Sequence, residues 1–232
     1  MWFPSLPHVT FAATDEMPHA GVVDEWLFAA WLPDASAGIV SGHRLLGTRA
    51  WYWAAFVEEG FPLFHLTEWD VVVRADPFVV KAPEMWAEHH CDDPMRQWSI
   101  GNEGHFAALD DPDEALGRAF GTPEPSATDL EWYAIGGASP IADGYEQPGV
   151  VHGIVELLGR PNLEFAEAPA HRWRRWGDAL GPVSLPRVVA HTGLRAPFRF
   201  PDGTVTDWVL TPDGWRTRSG PSVRGGGTLG GT

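Results

Sequence analysis

Apolar and polar positions alternate in short strides along this chain. Met85–Cys91 sets Met85 and Ala87 against Glu88 and His90, and Trp98–Leu109 resumes after the turn Asp92-Asp93-Pro94. Proline fixes φ and donates no backbone hydrogen bond, so the chain turns there. Side chains two apart on a strand share a face. Glu88 therefore stands with His90, and Glu103 with His105, while His89 points the other way. A hairpin would gather the first four into one polar group. Further strand-length runs are Glu25–Leu32, Ile39–Leu46, Trp51–Val57, Leu63–Arg74, Phe78–Lys81, Asp129–Tyr133, Val150–Leu158 and Asn162–Phe165. Gly, Pro and Asp separate them at a spacing of about ten residues, which predicts an antiparallel all-β barrel or sandwich. No long helical period lies between them, so the pattern is not βαβ. On local pattern alone, Glu25–Leu32 and Trp51–Val57 fit short buried helices equally well.

Asp110-Asp111-Pro112 predicts a short helix over Pro112–Phe120. An aspartate cap followed by proline is a helix start, and Asp113 and Glu114 suit its positive end. The glycine-rich stretch Gly136–Gly144 is the best boundary in the chain. It divides a first β domain, 1–137, from a second, shortened one, 138–220. Residues 1–20 read as an entry segment laid across a barrel, and 221–232 as a disordered glycine-rich tail.

The spacing Trp86-x-x-His89-x-Cys91-x-x-Pro94-x-x-x-Trp98, then Glu103, Leu109-Asp110-Asp111-Pro112 and Asp129-Leu130-Glu131-Trp132, resembles a large actinobacterial family. That family is related to the lipocalin-like proteins that include carotenoid 1,2-hydratase (hydroxyneurosporene synthase) and the AttH-type proteins. Fungal decalin-forming Diels–Alderases resemble the architecture more distantly. Tyr145-Glu146-x-Pro148-x-x-Val151-His152-Gly153-x-Val155 is similar to the strand that opens the family's second half. The resemblance implies two packed lipocalin-like barrels, here one full and one shortened, and no metal. Glu103 falls on the family's glutamate position. His171–Gly177 (HRWRRWG) aligns with a family motif Arg-Asp-His-Ser-Trp-Gly, of which Arg172, Trp176 and Gly177 remain. Arg174 stands where the family has the histidine thought to act with the tryptophan, and arginine cannot shuttle a proton as histidine does.

Composition narrows the function. A net charge of −15 argues against nucleic acid and anionic membrane surfaces as partners. The single cysteine, Cys91, excludes a disulfide framework and a cysteine-based zinc cluster, and its acidic neighbours oppose a nucleophilic thiolate. The N-terminus lacks a basic region followed by an apolar run, and Trp51–Val57 is far too short to span a bilayer. No membrane insertion and a cytoplasmic location are the expectation. No P-loop, nucleophile elbow or dinucleotide fingerprint appears, so no cofactor is expected. Thirteen tryptophans against three tyrosines mean that indoles either fill a core or wall a ligand cavity.

The candidate catalytic group is Glu103, His105, His90 and Glu88. Inside a barrel, low dielectric would set a general acid beside a general base; facing outward, the four would be the ordinary polar face of an antiparallel sheet. His89 or His90 with Glu103 and His105 has donor types for iron, manganese or zinc, but the cupin spacing is absent and no metal is expected. Candidate ligand contacts are Trp86, Trp98, Trp132, Arg172, Arg174 and Trp176. The arginines would clamp an acidic ligand group or, structurally, pair with acids such as Glu131 or Glu146. The expected activity is binding of a hydrophobic polyketide- or isoprenoid-like molecule, with cofactor-independent cyclisation, isomerisation or hydration. The alternative is a non-catalytic carrier. A shortened second barrel would expose strand edges and favour a homodimer.

Overall fold

The computed structural model describes residues 10–33, 36–58, 61–109 and 121–180, together with three later strands. The helix expected over Pro112–Phe120 and the tail from Pro221 lie outside the described residues. The chain is all-β. Its strands are β1 (Val23–Trp31), β2 (Ala37–Leu46), β3 (Arg49–Glu58), β4 (Leu63–Val72), β5 (Val79–Ala82), β6 (Met85–Asp93) and β7 (Gln97–Leu109). They continue with β8 (Thr122–Ala134), β9 (Ser139–Ile141), β10 (Gly144–Leu157) and β11 (Leu163–Gly177). A separate three-stranded sheet holds β12 (Pro186–Val188), β13 (Thr206–Thr211) and β14 (Gly214–Thr217).

The large sheet is antiparallel and closes on itself. Its order is β4-β3-β2-β1-β11-β10-β8-β7, and β7 returns to β4 through Leu63–Leu109, Phe64–Ala108 and His65–Ala107. β7 serves two ladders along one edge: its upper end pairs β4, and Gln97–Gly104 pairs β6, which carries β5 beyond it. The result is barrel-like. β10 and β11 sit between β8 and β1 in this same sheet, so the boundary expected at residue 138 does not divide it. Gly136–Gly144 is a connection within one ring, and such glycine-rich stretches mark turns as readily as domain linkers.

Burial explains why two apolar runs looked helical. On β1, Trp26, Phe28 and Ala30 belong to the interior cluster, yet the outward Leu27, Ala29 and Trp31 are buried as well. A strand covered on both faces loses its alternation and keeps only its length and β-branched or aromatic content as a signal. β6 and β7 are covered on one face and alternate plainly.

The N-terminal segment closes one end of the ring. A short 3-10 helix, Ala13–Glu16, buries Glu16 completely. Arg172 donates to Glu16 at 2.5 and 2.8 Å, Tyr145 Oη donates at 2.7 Å and the Met95 amide at 2.8 Å. Burial alone would raise the Glu16 carboxyl, but the Arg172 guanidinium, with the other donors, holds it below its usual range. Arg174 pairs with buried Asp24 and donates to the carbonyls of Asp15 and Met17 at 2.9 Å each. The two arginines share a face as expected, but their acids are Glu16 and Asp24. Glu131 and Glu146 lie on the outer face, where Glu146 faces His171 and Trp173.

Candidate functional site

Interior and exterior part company on β6 and β7. The cross-strand register sets Trp86 beside Glu103, Glu88 beside Gly101 and His90 beside Ser99. All these side chains point away from the core, because the alternate set, Met85, Ala87, His89, Trp98, Ile100 and Asn102, is buried. Glu103, His105 and His90 are exposed, and Glu88 is half-buried. No acid–base group therefore forms inside the barrel from these four. A one-residue register difference moves a whole strand's set between faces, and alternation alone does not say which face is inside. The four also divide among themselves. His90 lies 4.0 Å from Glu88 and 3.9 Å from Asp92 in an exposed strip. Glu103 and His105 instead line a cleft with Trp86.

The interior is filled by aromatic rings. Phe28 lies 5.6 Å from Trp98 and 5.1 Å from His89, and His43 lies 5.9 Å from His89, centroid to centroid. The Arg172 guanidinium covers the rings of Trp132 at 4.8 Å and Trp98 at 5.8 Å. The void among Phe28, Ile39, Ser41, Ile100, Leu130 and Val151 measures about 10 Å³, room for about one water at most. Trp98 and Trp132 are thus core side chains at this level, not walls of an open hollow. Trp176 is half-buried at the closed end and stacks on His19 at 4.9 Å.

A polar row nonetheless crosses this interior, and sequence reading noticed only His89 of it. Ser41 Oγ meets Tyr52 Oη at 3.0 Å and His89 Nε2 at 2.8 Å. Burial pushes the His43 imidazole down to about 3, with the Arg174 charge adding to it, and His89 well below its usual value, with His43 adding. Both are neutral at pH 7. Burial pushes the Tyr52 phenol up to about 12 against the smaller opposing pull of Ser41 and Asn102. His43 Nε2, His89 Nδ1, the Asn102 amide and the hydroxyls of Ser126 and Thr128 close no hydrogen bond of normal geometry. Orphaned polar atoms of this kind take ordered water where there is room. Cys91, half-buried, has its thiol pushed up to about 12, the direction expected, but chiefly by burial and then by Glu16, with Asp92 and Asp93 adding least. No group of three or more metal-binding side chains occurs among the described residues.

A far larger open space lies against β7 and β8. A cleft of about 920 Å³ runs along the outer side of β7 and β8 beneath the β5–β6 and β10–β11 turns. Trp86 and the exposed Leu158 give it apolar walls over the buried Met85 and Leu157, and Lys81, Glu84, Glu103, His105 and Glu156 give it polar ones. Trp86 owes its position to Gly101: a Cβ there would stand 3.2 Å from the indole, so the ring lies close over bare backbone and stays half-exposed. Arg160 is held at one end. It donates to Glu58 at 2.7 Å, and its guanidinium lies 4.1 Å from the Phe61 ring and 4.7 Å from that of Phe64.

No family model, curated protein or solved structure matches the chain. The site has to be judged on its geometry. Of the residues picked from sequence, Trp86, Glu103 and His105 meet in the cleft; Trp98, Trp132, Arg172 and Arg174 are locked in the barrel. Lys81, Glu84, Glu156 and Arg160 were missed, because they sit in turns or at strand ends, where no periodicity singles them out.

Proposed function

We propose that the protein binds a small amphipathic molecule in the outer cleft, against Trp86. The observation that carries this reading is the cleft itself. Its volume of about 920 Å³ falls in the range of small-molecule sites, roughly 300–1,000 Å³, and it combines an aromatic wall with several polar groups. The filled interior, with about 10 Å³ free at its aromatic level, supports a site outside the ring over an isoprenoid-sized guest within it. A catalytic reading rests on Glu103 and His105, two residues apart on the face that lines the cleft. Their exposure to solvent supports binding more strongly than proton transfer, since nothing encloses the pair or excludes water from it.

The test is saturation-transfer NMR with a panel of water-soluble fragments on the wild-type protein and on Trp86→Leu. Fragments that bind the wild type are expected to lose their signal in the variant. Hits that persist unchanged in Trp86→Leu would place binding elsewhere and end this reading.

A further inference from the structure

The charges around the cleft say what kind of molecule it suits. Arg160 is matched by Glu58 at 2.7 Å. That leaves Lys81 as the free cation against Glu84, Glu103 and Glu156 among the described residues. Glu156 accepts a hydrogen bond from Asn162 at 3.1 Å, which does not neutralise it. Glu84 also stands close enough to Glu68 to help raise its carboxyl, after burial, so acids crowd this side of the β5–β6 turn. The net charge of the whole chain, −15, adds an attractive field for a cation approaching from water. Trp86 supplies the remaining part. An indole held over Gly101 and half-exposed presents a negative π-face, and the residue directly across the strand from Trp86, on the same face, is Glu103. An aromatic face beside a carboxylate attracts a cation by both components and repels an anion by both.

Building on the cleft as the binding site, we infer that its ligand is an organic cation, an amine or quaternary ammonium compound whose charged head sits between Trp86 and Glu103. Leu158, exposed in the cleft lining, offers an apolar surface to the rest of the molecule.

Choline and its uncharged isostere 3,3-dimethylbutan-1-ol have nearly the same shape and separate charge from bulk. Both are titrated at low salt into wild type, Trp86→Leu, Glu103→Gln and Lys81→Gln, followed by NMR shifts of the cleft amides. Choline is expected to bind at least about fivefold more tightly than the alcohol. Trp86→Leu and Glu103→Gln each weaken it by about fivefold, and Lys81→Gln strengthens it. Glu103 is exposed, so its variant reports even if Trp86→Leu disturbs the sheet. Equal binding of the two compounds, both lost in Trp86→Leu, would overturn the cation assignment and leave the cleft standing. Binding of neither compound at the cleft amides, or binding indifferent to all three substitutions, would overturn the assignment and the cleft together.

Discussion

His43 and His89 show how a residue's surroundings decide its chemistry. Both look like ordinary histidines in sequence, and both are fully enclosed by rings and strands. Because burial holds them neutral, the unfolded chain takes up protons that the folded protein refuses. The sign follows: their folded pKa values lie below 6.5, so stability is whole above that pH and falls as pH drops below it. His65, buried on the outer face of β4 and held down to about 4, acts in the same direction. Each fully buried imidazole costs about 2 kcal/mol between pH 6.5 and pH 5. Urea unfolding at pH 7, 6 and 5 is expected to show this early loss, shallower in His43→Asn. Stability that stays flat to pH 5 would show that these rings are protonated in the folded state. Glu16 answers later, since its lowered carboxyl releases its contribution only as pH falls below the ordinary carboxylate range.

β11 is the strand that ties the ends of the fold together. It pairs β1 on one side and β10 on the other, and its inward arginines hold the N-terminal segment across the closed end. Breaking a buried pair leaves an uncompensated charge, so Glu16→Gln or Arg172→Met alone is expected to cost about 3–5 kcal/mol in urea unfolding. Removing both partners together is expected to cost less than the sum, and strict additivity would mean that the pair is not coupled. In sequence, HRWRRWG was visible as a cluster, but its partners lie more than a hundred residues earlier, at Glu16 and Asp24, which no local pattern connects to it. β6 and β7 were legible to within two residues because one face is wet and the other dry. β8 begins at Thr122, earlier than the run from Asp129 predicted, and Pro123 and Pro125 among its first four residues hide that start. Proline normally argues against a strand interior.

The molecule as a whole was legible in class and not in closure. Turn residues between strand-length runs gave an antiparallel β protein, while a ring that runs through to Gly177 depends on long-range pairings such as Val23 with Gly177. The homodimer expectation rested on open edges in a shortened second barrel, but β10 and β11 are paired on both sides. No helix among the described residues is long and apolar enough to cross a membrane. What remained hidden in sequence was which face is inside, and that decides where a ligand goes. Indoles on both faces of β6 and β7 make the choice measurable. Fluorine NMR of the protein labelled with 5-fluorotryptophan, with Trp86, Trp98 and Trp132 assigned by single Trp→Phe variants, gives a separate signal for each. On adding the fragments that bind, the Trp86 resonance is predicted to shift while those of Trp98 and Trp132 stay in place. Movement of Trp98 and Trp132 with Trp86 silent would put the ligand inside the barrel and contradict the account.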